Sequence, residues 1–155
     1  MTDAEFAEKI ESARGKLYKT AMLYLGSRDA ALDVLDETVY KALCGHGKLR
    51  SPEFFETWVT RILLNECYSE LRRRRRLCPL EELPETAAEA YDALPLREAV
   101  RRLPKELRDV VILRYFSGFT LAETARMLNI PQGTAVTRQR RALRLLRLEM
   151  KEEEE

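Results

Sequence analysis

The residues with the clearest chemistry are five arginines, Arg138, Arg140, Arg141, Arg144 and Arg147, at the end of the run TLAETARMLNIPQGTAVTRQRRALRLL (residues 120–146) and just beyond it. A guanidinium fork matches phosphate oxygens and the exposed edge of guanine, so a helix carrying several of them suits the major groove of DNA. The residues before them can position such a helix. Thr120 caps a first helix, and Glu123 three residues later completes a reciprocal capping box. Leu121, Thr124, Ala125 and Leu128 follow at helical spacing, with small Ala125 where a second helix must come close. Asn129 and Ile130 break the first helix, and Pro131 fits the first turn of the next. The pattern is that of a helix-turn-helix. Taken alone, it also fits an amphipathic helical hairpin with a solvated basic face.

The formal net charge of +1 over 155 residues hides a block structure. Arg101 to Met150 hold 11 basic and 4 acidic residues, whereas Leu77 to Val100 hold 1 basic and 6 acidic. Five consecutive arginines, Arg72 to Arg76, precede that acidic stretch. A partner responds to such blocks and not to their sum. A chain of this length can bury one core or form two small domains.

No stretch approaches the roughly 20 apolar residues of a membrane span, and no apolar run follows the start as in a secretory signal. The expectation is a cytoplasmic protein with no membrane insertion. Cys44, Cys67 and Cys78 are odd in number and lack zinc spacing, which points to reduced thiols. His46, the only histidine, sits in a Gly45-His46-Gly47 loop signal without a catalytic companion. No glycine-rich phosphate loop, metal cluster or nucleophile–base set can be assembled, so no enzyme and no cofactor is expected.

The rest of the chain reads as helix almost throughout. Phe6, Ile10, Ala13, Leu17, Ala21 and Tyr24 keep helical spacing until Gly26. Ser27 caps a second helix with Ala31, Leu35, Val39 and Leu43 on one face, closed by Gly45 and Gly47. Ser51 and Pro52 open a third, with Phe55, Trp58, Val59, Ile62 and Leu71 as its apolar stripe, running straight into Arg72 to Arg76. Residues 77–94 contain Pro79, Pro84 and a series of carboxylates and read as an extended acidic linker, with a short helical turn around Thr86 to Tyr91. Pro95 and Pro104 each begin a further helix, and Gly118 ends the second of these. The fold class is all-α: a region over 1–76, a linker over 77–94, a helix-turn-helix region over 95–150 and an acidic tail over 151–155.

Two segments resemble a known family in the right order. DAALDVLDETVYKAL (Asp29 to Leu43) with FFETWVTRILLNECYSELRRRRR (Phe54 to Arg76) is similar to region 2 of the sigma-70 family. LPKELRDVVILRYFSGFTLAETARMLNIPQGTAVTRQRRAL (Leu103 to Leu143) is similar to region 4. The two-module layout resembles the extracytoplasmic-function group of bacterial RNA polymerase sigma factors. The chain departs from that pattern at Ser69, where an aspartate is usual, at Val136, where a basic residue is frequent, and at Gln139, where an inward-packing residue is expected.

The resemblance implies two small helical domains, a three-helix-type bundle and a helix-turn-helix domain, that dock on core RNA polymerase and read promoter DNA. For docking it points to Asp33, Asp36, Glu37, Tyr40 and Lys41. For the upstream (−35) element it points to Thr134, Val136, Thr137, Arg140 and Arg141 at the groove or helix start, with Arg138 and Arg144 on the backbone. For the unpaired strand of the downstream (−10) element it points to Lys48, Arg50, Phe54, Thr57, Arg61, Asn65, Arg72 and Arg73. Members of the group are commonly held inactive by an anti-sigma factor, which joins the expected partners. Two other readings use the same residues: a helix-turn-helix regulator that never engages polymerase, and a protein-binding adaptor whose basic faces meet an acidic partner.

Overall fold

The computed structural model describes residues 1–77 and 94–154, and side chains up to Arg147 apart from that of Leu94. The expected acidic linker and its helical turn lie almost wholly outside the described residues. The chain divides into two compact units, Met1–Ala87 and Ala88–Glu155. Among the described residues the regular structure is entirely helical.

In the first unit, α1 (Asp3–Leu25) starts where the Thr2 hydroxyl accepts from the Glu5 amide. It stops at Gly26, whose φ of 66° is a left-handed conformation that glycine adopts without a Cβ clash. Ser27 then caps α2 (Arg28–Gly45) by accepting from the Ala30 amide. A 3-10 turn at Pro52–Phe54 leads into α3 (Phe55–Leu77). The three helices pack pairwise around Leu17, Ala21, Tyr24, Ala31, Leu35, Val59, Leu63 and Leu64, all buried. Each large aliphatic side chain buried in this way contributes about 1.5–3 kcal/mol.

The expected apolar faces are rotated on two of these helices. On α2, Leu43 is exposed and Val39 half-buried, while Val34, Thr38 and Ala42 point inward. Thr38 tolerates burial because its hydroxyl donates to the Val34 carbonyl at 2.7 Å. On α3, Trp58, Ile62 and Leu71 are only half-buried, whereas Leu63, Leu64 and Cys67 are sealed. The α3 helix touches both α1 and α2, so its buried arc is wider than a single stripe. Ser51 does not cap it: the hydroxyl donates to the Glu53 carboxylate at 2.7 Å instead.

His46 also departs from its loop reading. It is buried, stacked on the Phe6 ring at 4.9 Å, and its Nε2 lies 3.0 Å from Asp3 Oδ1. The imidazole joins the end of α2 to the start of α1 and is part of the fold.

The second unit contains α4 (Leu94–Arg102), α5 (Lys105–Val111), a π-helical turn (Ile112–Phe116), α6 (Leu121–Leu128) and α7 (Gln132–Glu154). The α7 helix packs against α4, α5 and α6. Val100, Leu107, Val110, Val111, Ile112 and Leu113 are buried with Ala125, Ala135 and Ala142. The π turn is closed by Ser117 N–H on the Ile112 carbonyl at 2.8 Å, and Gly118 follows at φ 79°. Sequence reasoning passed over Arg108 and Asp109, which are both buried, with Lys105 Nζ 3.6 Å from the Asp109 carboxylate.

Candidate nucleic-acid interface

The helix-turn-helix is built by short-range contacts. The Thr120 hydroxyl accepts from the Glu123 amide at 3.1 Å, and the Glu123 carboxylate accepts from the Thr120 amide at 2.9 Å. Two orphan amides at the start of α6 are thereby satisfied. Asn129 ends α6 in the left-handed region, at φ 57° and ψ 48°. The Pro131 carbonyl accepts from the Ala135 amide at 3.1 Å, so the proline stands one residue before α7 and not inside its first turn. Ala135 is fully buried, which sets the register of α7 on its neighbours.

That register brings Thr134, Thr137, Arg138 and Arg141 into one groove of about 730 Å³, completed by Pro104, Glu106 and Leu107 at the start of α5 and by Pro131 and Gly133. The Thr137 hydroxyl donates to the Gly133 carbonyl at 3.1 Å. Val136, Arg140 and Arg144 lie outside this groove, with both arginines exposed. Among the described residues neither Arg138 nor Arg141 forms an ion pair, so both guanidinium groups are available to anions.

Gln139 shows the cost of its departure from the family pattern. The residue is half-buried, and its Oε1 is sealed from solvent without a hydrogen-bond partner among the described residues. A buried acceptor left unpaired costs roughly 1–3 kcal/mol. Gln139→Leu is therefore expected to stabilise the second unit by about 1 kcal/mol, read as a higher denaturation midpoint of the full chain. An unchanged or lowered midpoint would mean that the amide is satisfied in solution.

In the first unit, the candidates for the unpaired strand are all at the surface. Lys48, Arg50, Phe54, Arg61, Asn65, Arg72 and Arg73 are exposed, and Thr57 is half-buried, its hydroxyl donating to the Phe54 carbonyl. Phe54, Thr57, Arg61, Asn65 and Arg72 recur at helical spacing and share one ridge of α3 and its leading turn. Phe55, one residue on, is core, with 3% of its surface exposed.

The five consecutive arginines are not equivalent. Arg74 donates to the Leu25 carbonyl at 2.8 Å and so satisfies the last turn of α1, a favourable place for a cation. Arg73 and Arg74 share the Glu70 carboxylate, at 2.7 and 3.3 Å. Hydrogen bonding from Arg73 holds that carboxyl below its ordinary range. Arg72 donates to the Ser69 hydroxyl at 3.1 Å, so the serine that replaces the usual aspartate orients a neighbouring cation. Arg75 and Arg76 are exposed.

On α2 the candidate docking residues Asp33, Asp36, Glu37, Tyr40 and Lys41 are all exposed, as are the apolar Leu32 and Leu43. Lys41 is engaged within the molecule. It pairs with Glu66 on α3, and that carboxylate raises the lysine above its ordinary pKa. The strip that remains is acidic with apolar residues between the charges.

Comparison with known proteins agrees with this architecture. Residues 10–77 match Sigma-70 region 2, and residues 93–149 match Sigma-70, region 4. The chain is 28% identical to the RNA polymerase sigma factor SigV of Bacillus subtilis over 99% of its own length and 95% of the relative's. It is 34% identical to the ECF RNA polymerase sigma factor SigM of Mycobacterium tuberculosis over 86% of this chain and 71% of that one. The fold is similar to that of the sigma factor RpoE from Bartonella quintana, solved in complex with the anti-sigma factor NepR. That likeness has a TM-score of 0.83 at 24% identity and covers 95% of this chain and 97% of the other. With both regions present in order on an all-helical fold, the chain belongs to the sigma-70 family of RNA polymerase sigma factors, in its extracytoplasmic-function group.

Proposed function

We propose that the first unit docks on core RNA polymerase and captures the unpaired downstream strand, while the second reads the upstream duplex element. The chain is a promoter-directing initiation factor, and the polymerase supplies the chemistry. Docking falls to the acidic and apolar strip of α2, led by Asp33, Asp36, Glu37 and Tyr40. Lys48, Arg50, Phe54, Thr57, Arg61, Asn65, Arg72 and Arg73 track the single strand by stacking and phosphate contact. Arg141, with Thr137, reaches base edges from the groove wall, while Thr134, Arg138 and Arg144 hold phosphates. Val136 and Arg140 complete the helix surface offered to the duplex.

The observation that carries this reading is the convergence of Thr134, Thr137, Arg138 and Arg141 in one groove, with both cations unpaired among the described residues. The domains of this proposal are residues 1–76 and 95–150, with an acidic tether over 77–94 and an acidic tail over 151–155. The setting is the cytoplasm, and an anti-sigma factor is a further partner. No described helix is long and apolar enough to cross a membrane. Similarity along both regions does not favour a regulator that ignores polymerase, nor an adaptor.

The test is run-off transcription with bacterial core polymerase on fragmented genomic DNA from the source organism. Addition of the chain is expected to yield discrete start sites that share two short upstream motifs. Output no greater than that of core polymerase alone would sink the proposal.

A further inference from the structure

The groove that gathers the arginines also contains a carboxylate. Glu106, in the first turn of α5, lines it together with Thr134, Thr137, Arg138 and Arg141. Among the described residues Glu106 forms no ion pair, in contrast to Asp109 one turn on, which is held by Lys105. It is exposed, so burial gives no reason for its placement.

A free carboxylate is an acceptor only and repels phosphate oxygens. In this groove it offsets half the charge of the two guanidinium groups. We propose that Glu106 is a specificity-determining residue: its carboxylate repels phosphates that approach its own side of the groove shared with Arg138 and Arg141, and so limits binding of non-cognate duplex. The inference rests on the reading of α7 as the helix that meets duplex DNA.

The physical reason lies in how the two kinds of complex are held. Binding to arbitrary sequence is almost entirely phosphate attraction, whereas the cognate complex adds base contacts that lock one register. A fixed negative charge therefore weakens the first more than the second: base contacts keep the cognate phosphates at Thr134 and Arg138, whereas the loose complex samples registers in which a phosphate meets Glu106. Discrimination by an unfavourable contact is an established route to specificity. The plain structural alternative is that Glu106 only complements the amide end of α5. In that case its loss lowers stability and leaves the salt dependence of DNA binding untouched.

The experiment uses the full chain assembled with bacterial core polymerase and two duplex probes of equal length. One probe is enriched by repeated selection on the unaltered complex, and the other is a random-sequence pool. E106Q is expected to tighten binding of the random pool by about 3- to 10-fold at low salt, steepen its salt slope by about one unit, and tighten the selected duplex by a clearly smaller factor. E106D, which keeps the charge, should behave as the unaltered chain. Equal gains on both probes, no gain, or looser binding would overturn the inference, as would a lower melting temperature with an unmoved salt slope. Arg141→Ala in the same assay separates this inference from its premise. If that variant binds the selected duplex normally, the reading of this groove as the surface that meets the duplex fails. If it loses the selected duplex while E106Q changes nothing, only the role of Glu106 is rejected.

Discussion

Replacing Arg141 with alanine is expected to lower affinity for the selected upstream duplex by about 10- to 100-fold, in line with roughly 1–3 kcal/mol for a bidentate guanine contact. It should also relax preference at one or two base pairs. Arg141 lines the groove beside Thr137 and Arg138 and is unpaired among the described residues, so its fork can align with a base edge without first breaking an ion pair. Arg144 is exposed and lies outside that groove. Its alanine variant should weaken selected and random duplexes alike and reduce the salt slope by about one unit. Competition binding of the holoenzyme to both probes across a salt series decides the matter. A matched loss on both probes for Arg141→Ala would assign it to phosphate, leaving the upstream sequence to be read by Val136, Thr137 or Arg140.

The second large effect is expected at α2. Asp36→Lys combined with Glu37→Lys reverses two exposed charges on the proposed docking strip, between Leu32 and Tyr40. Association with core polymerase should fall by roughly tenfold or more, mainly through a slower on-rate with an inverted salt dependence. Helicity should be unchanged, because neither residue contributes to the core. Lys41→Ala behaves differently on this account: it removes the tie to Glu66 and should reduce stability of the first unit before it affects docking. Unaltered association for the double reversal, measured by equilibrium binding to core polymerase, would place the docking surface elsewhere.

Several features of the molecule are legible in the order of residues because their physics is local. Caps, left-handed turns and helical periodicity depend on neighbours within about four positions. Thr120 with Glu123, Ser27, Gly26, Asn129 and the repeat from Phe6 to Tyr24 could therefore be read directly. Two family signatures in order identified both functional regions for the same reason, since each motif is contiguous. The rotated faces of α2 and α3 could not be read this way. A threonine such as Thr38 counts as polar in any periodicity, yet its hydroxyl is satisfied within its own helix and the residue is buried.

The sequence by itself thus determined the helices, their ends, the charge blocks and the family. The tertiary structure decided which polar side chains remain free for a partner. Arg74 is spent on the Leu25 carbonyl 49 residues away, Lys41 on Glu66 25 residues away, and His46 on Asp3 43 residues away. Nothing in a local pattern distinguishes Arg74 from Arg75, or ranks Arg141 beside Glu106. Pairing of long side chains depends on which helices pack together, and that follows from burial of the whole apolar surface, not from any one segment.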